Sequence, residues 1–156
     1  MDAAAPASHG LAMVLAVPPA LTPRLSPAKE QAAIRTLRAS HNAALAAFDA
    51  DGTVHLSTDD HVMILGGGGQ VIQGKAAYRD FVKAAFADPH PMRFARTPDR
   101  IDVGAPEGFA VAAETGRWIG TATDGSGART AGRYLVHWTK RSGEWRIASE
   151  TYVTVE

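Results

Sequence analysis

Two stretches of helical period come first in this 156-residue chain, and every long stretch after residue 90 alternates like a strand. That order restricts the fold to helices packed on a meander of strands. In the first stretch Ile34, Leu37, His41, Ala44, Leu45 and Phe48 recur at offsets of three and four and share a face, with Arg35, Arg38 and Asn42 off it. Ser26 and Pro27 set its start, a hydroxyl able to cap free amides followed by a proline at the first helical position. The helix is expected to end near Asp49, because Gly52 and the β-branched Thr53 and Val54 disfavour its continuation. Asp59 and Asp60 lead into a strand over His61–Leu65, and four glycines turn the chain. A second helix is expected from Lys75 to Ala87, with Tyr78, Phe81, Val82, Ala85 and Phe86 buried and Asp88-Pro89 as the stop.

The strand half reads in four segments. Met92 to Val103 is a long strand disturbed at Pro98, and Phe109 to Thr123 comes after a turn at Ala105–Gly108. Asp124-Gly125-Ser126-Gly127 is a hairpin turn, Arg129 to Arg141 the next strand, and Glu144 to Val155 the last, after Ser142-Gly143. Helices and then a strand meander mean α+β with an antiparallel sheet, one domain over 26–156 and no repeats.

Composition removes several classes of function. Sixteen basic and sixteen acidic side chains cancel, and no basic run is present, so neither nucleic acid nor a membrane surface is an expected partner. The absence of cysteine removes disulfides, thiolate metal sites and cysteine nucleophiles. Leu11 to Val17 is apolar, but Asp2 stands where an export signal carries basic residues and Pro18-Pro19 cuts the run short. Residues 1–25 therefore read as a flexible Ala/Pro-rich arm and the cytoplasm as the expected location, with export by a weak N-terminal signal the alternative. Two motifs are decoys. Gly69 to Lys75 fits a phosphate loop, but Ala76 replaces its hydroxyl and Gln70–Gln73 reads as strand. His55, Asp59, Asp60 and His61 are metal-like in composition only, so no metal and no cofactor is expected.

Five segments together resemble a known family: Phe48-Asp49-Ala50-Asp51-Gly52, Thr58-Asp59-Asp60, Gly74-Lys75-Ala76-Ala77, Gly132-Arg133-Tyr134 through Trp138, and Gly143-Glu144-Trp145-Arg146-Ile147. In order and spacing, over roughly residues 28–154, they are similar to the SnoaL-like branch of the nuclear transport factor 2-like superfamily, which includes ketosteroid isomerases, polyketide cyclases and scytalone dehydratase. The resemblance implies a cone: a curved antiparallel sheet wrapped around the N-terminal helices, with an internal apolar cavity and commonly a homodimer. It also implies that the ketosteroid isomerase oxyanion tyrosine falls on His41, the proton-shuttling aspartate on Leu65, and the second oxyanion acid near Leu135 or His137. Leucine takes no proton, so that isomerase chemistry in its usual form is not expected.

The remaining candidates come from strand parity. Glu114 shares a face with Gly116 and Trp118, and Glu150 with Tyr152; a carboxylate facing an apolar cavity makes a base with a raised pKa. The competing reading for each is a solvent-facing residue, or an ion pair with Arg117, Arg133 or Arg146. For His41 it is a core imidazole satisfied by one hydrogen bond. Tyr134, Val136 and Trp138 form the more apolar face of their strand, whereas the resemblance turns Arg133, Leu135 and His137 to the cavity; the expectation adopted is the second. The expected function is cofactor-free acid/base chemistry (isomerase, cyclase, dehydratase or hydratase) on a small apolar molecule. His41, Glu150, His137 and Glu114 are the catalytic candidates, and Tyr152, Trp118, Leu65, Met63, Phe48, Tyr78, Phe81 and Leu135 the pocket residues. The alternative is a non-catalytic ligand-binding or dimeric interaction module of the same fold.

Overall fold

The computed structural model describes residues 25–106 and 108–156, so the expected N-terminal arm lies almost wholly outside the described residues. The elements are α1 (Pro27–Ala46), α2 (Ala50–Val54), β1 (Ser57–Ile64), β2 (Val71–Gln73), α3 (Lys75–Phe86), β3 (Arg93–Gly104), β4 (Val111–Thr121), β5 (Arg129–Thr139) and β6 (Arg146–Thr154). They build one curved six-stranded sheet in the order β2-β1-β6-β5-β4-β3, with α1 packed on β3 and α3 on β1 and β2. The α+β reading holds. The sheet is mixed, however: β1 and β6 pair in parallel while the other neighbours are antiparallel. A helix and the whole meander separate β1 from β6, which is the long connection that parallel pairing needs.

Local chemistry explains where boundaries moved. Pro27 occupies the first turn of α1, but the Ser26 side chain makes no capping bond. Phe48 adopts φ 55°, and the chain restarts as α2 because the Asp49 carboxylate accepts the Gly52 amide at 3.0 Å. Gly52 thus admits a cap, since a Cβ there would strike the Asp49 carboxylate. Pro98 disturbs β3 as expected, with a register shift against β4 between Pro98 and Arg100.

Alternation in β4 and β5 fixes the inner face. Ala112, Glu114, Gly116, Trp118 and Gly120 point inward on β4, and Gly132, Tyr134, Val136 and Trp138 on β5. Arg133, Leu135 and His137 point outward, and Leu135 is 50% exposed, so the face assignment taken from the family comparison is corrected. Period-2 alternation permits only one of the two faces inside, and burial of Trp138 and Val136 decides which. Gly116 has a specific use: a Cβ there would come within 2.6 Å of the Tyr134 hydroxyl. No helix among the described residues is long and apolar enough to cross a membrane.

Candidate functional site

A cavity of about 270 Å³ lies between α3, β1 and the inner sheet face. Met63, Leu65, Tyr78, Phe81, Trp118 and Tyr152 line it, together with Phe86, Phe94 and Arg96. Phe48 is not in this wall; it packs edge-on against Phe86, with ring centroids 5.4 Å apart. Leu135 and His137 are excluded by their outward direction, and His137 instead borders a separate outer groove with Asp60, Phe109 and Arg141.

Arg96 is the charged group in this wall and was missed from sequence. It is 9% exposed. A signal existed, because Arg96 shares strand parity with Phe94 and Met92 ahead of the irregularity at Pro98. Its backbone is held from α1: the Asn42 side chain donates to the Arg96 carbonyl at 2.8 Å and accepts the Arg96 amide at 3.1 Å. Its Nε donates to the Tyr152 hydroxyl at 2.6 Å, while Nη1 has no hydrogen-bond partner among the described residues. A buried N–H without an acceptor is costly, and this one belongs to the charged residue of the wall.

Behind Tyr152 lies Glu150, 1% exposed and outside the cavity wall. Tyr152 donates its hydroxyl proton to Glu150 Oε2, and His61 Nε2 lies 3.2 Å from Oε1, which places that ring proton on Nε2. His61 in turn stacks on Tyr78 at 4.8 Å. Burial alone would raise the Glu150 carboxyl, but the His61 bond and the charges of Arg96 and Arg38 outweigh it and hold the group well below the usual range. A raised pKa was the expectation for this carboxyl, and the cations reverse it. Burial, reinforced by the neighbouring Glu150 charge, drives the Tyr152 phenol well above its ordinary value, so it stays protonated.

Glu114 forms a second node that does not reach the cavity. Its Oε1 accepts from Arg38 Nε at 2.8 Å and from the Tyr134 hydroxyl at 2.7 Å, and its Oε2 accepts from Trp138 Nε1 at 2.7 Å and Arg38 Nη2 at 3.3 Å. Four donors on one carboxylate leave it no capacity for a substrate proton. Its partner is Arg38, not Arg117, Arg133 or Arg146. The α1 face that buries is Ile34, Arg38, His41 and Leu45, so Arg38 belongs inside. Helical spacing allows either stripe; only Glu114 across the core makes a buried arginine tolerable.

His41 is 1% exposed, accepts from Arg38 Nη1 at 2.9 Å through Nδ1, and does not line the main cavity. Burial, then the charges of Arg38 and Arg96, hold its pKa well below 6.5. The folded protein therefore keeps His41 neutral where the unfolded chain would take up a proton. Stability is expected to be flat above about pH 7 and to fall below about pH 6.5 by up to roughly 1.4 kcal/mol per pH unit. The Glu150 contribution has the same sign but is lost only below the ordinary carboxylate range. Urea midpoints across pH 5–8 check this, and His41→Gln should flatten the first decline; an unchanged slope in that variant would assign it elsewhere.

The model of the SnoaL-like domain matches residues 26–151, four-fifths of the chain and all of the elements that build this cavity except the end of β6. The chain belongs to the SnoaL-like domain family. Solved structures agree on the fold. A ketosteroid isomerase-like protein from Erwinia carotovora atroseptica superimposes with a TM-score of 0.66 at 20% identity, over 82% of this chain and 98% of that one. A candidate scytalone dehydratase from Novosphingobium aromaticivorans gives 0.65 at 14% identity, over 83% and 86%. A domain of unknown function with a cystatin-like fold from Nostoc punctiforme gives 0.72 at 15% identity, over 84% and 80%. No curated protein matches this SnoaL-like chain in sequence. At such identities the likeness is one of architecture, and chemistry must come from the site.

Proposed function

We propose that this SnoaL-like domain binds a small, largely apolar molecule and moves a proton on it without a cofactor, in chemistry of the isomerase, cyclase or dehydratase type. The observation that carries this reading is a buried guanidinium with an unpartnered N–H, set in the wall of an apolar cavity and joined through one hydroxyl to a buried carboxylate. Arg96 Nη1 would donate to a substrate oxygen and stabilise negative charge developing there. The substrate proton would pass to the Tyr152 oxygen as the phenol proton passes to Glu150, so no phenolate forms; the lowered carboxyl pKa makes Glu150 a weak acceptor, and charge stabilisation by Arg96 carries the larger share of the rate. His61 and Asn42 act as positioning residues, one through Glu150 and the other through the Arg96 backbone.

The volume, near the lower limit of roughly 300 Å³ for ligand pockets, favours a mono- or bicyclic molecule. 2-Acetylnaphthalene in heavy water is a suitable probe, since its methyl protons exchange only if the ketone enolises. Deuterium uptake measured by NMR is expected with the native protein and lost in Arg96→Met. Binding without exchange favours the second reading, a non-catalytic carrier, which draws support from the placement of Glu150 behind Tyr152 and not in the wall.

We also propose a homodimer through the outer sheet face, where Ile119, Leu135 and Val153 stay exposed on β4, β5 and β6. Leu135→Glu is expected to halve the mass measured by light scattering while the far-ultraviolet spectrum is kept. A native protein that is monomeric at high micromolar concentration rejects the dimer.

A further inference from the structure

We infer that Glu150 sets the charge preference of the cavity, so that Arg96 receives a neutral oxygen acceptor and not a carboxylate. This rests on the cavity being the ligand site. The polar cluster beside the cavity contains two guanidinium groups, Arg38 and Arg96, and two carboxylates, Glu114 and Glu150, all buried. Arg38 is committed, with two nitrogens on Glu114 and the third on His41. Arg96 is separated from Glu150 by a single hydroxyl, which accepts from Nε and donates to the carboxylate. Each positive charge thus has its negative counterpart before any ligand arrives.

A guanidinium in a pocket wall ordinarily suggests an anionic ligand, and here the count argues otherwise. A carboxylate bound to Arg96 would be a third negative group beside two cations, in a wall that holds no other charged side chain and is aromatic and aliphatic apart from Thr130 and Thr154. Burying an unbalanced charge is heavily penalised. A ketone, ester or ether oxygen satisfies the same N–H and leaves the sum unchanged. The measurement belongs at about pH 8, well above the ordinary carboxylate range, so that naphthoate is fully ionised.

The probes are 2-acetylnaphthalene and 2-naphthoate, equal in heavy-atom count and differing in charge. Calorimetry at about pH 8 is expected to show the native protein favouring the ketone by about tenfold or more. Glu150→Gln keeps the shape of the side chain and removes its charge, so the preference should reverse toward naphthoate. Tyr152→Phe serves if that variant does not fold: it breaks the bridge and frees Arg96 Nε as a second donor, and the ratio should again move toward naphthoate. A native protein that prefers naphthoate, or a ratio unmoved in both variants, overturns the inference and leaves the cavity as the binding site. Failure of both probes to bind overturns the cavity reading and the inference together.

Discussion

Glu114→Leu is expected to cost about 3–5 kcal/mol of folding stability, the largest loss from any single substitution in the inner face of the sheet. The change removes the one carboxylate that balances Arg38, and it also takes the acceptor from the Tyr134 hydroxyl and the Trp138 indole. Arg38 is 1% exposed and cannot reach water without opening α1 from the sheet. The double variant Arg38→Met with Glu114→Leu should recover about half of the loss or more, because the uncompensated charge disappears and only the two neutral donors remain unpaired. Urea unfolding of the two singles and the double measures the coupling. A double variant as unstable as the sum of the singles would show that packing of side-chain volume, and not charge balance, dominates this node.

Tyr152→Phe is expected to slow deuterium uptake by 2-acetylnaphthalene about 100-fold or more while the affinity for the ketone changes little. The phenol lines the cavity and also donates to Glu150, so in the proposed mechanism the proton has no route to the carboxylate without it. Arg96 Nη1, the donor proposed for the ligand oxygen, is untouched by the change. Arg96→Met should behave differently, losing binding and exchange together, since both depend on the N–H that meets the oxygen. Exchange at the native rate in Tyr152→Phe would place the proton acceptor on another group and remove Tyr152 and Glu150 from the chemistry.

The order of two helices and a strand meander was legible because apolar periodicity changes near residue 90, and periodicity comes from backbone geometry alone. Glu114 and Glu150 were legible as inward groups because strand parity ties them to Trp118 and Tyr152. Their different fates were not. Glu114 is saturated by Arg38, Tyr134 and Trp138, and Glu150 is linked to the cavity through Tyr152, in bonds that span 76, 20 and 24 residues in the first case and 2 in the second. His41 shows the limit most clearly: its helix face was read correctly, but facing the core and facing the cavity are the same property in a sequence.

The sequence by itself determined the α+β class and the family, because each depends on local spacing or on ordered motifs. Tertiary structure alone decided that Arg96 carries the unpartnered donor and that Arg38 is buried; for Leu135 and His137 it upheld the strand-parity reading against the resemblance. The physical reason is charge pairing across the core. A buried arginine is stable only beside a carboxylate, and which carboxylate it meets depends on how β3, β4 and β6 stack against α1, a relation that no window of sequence contains.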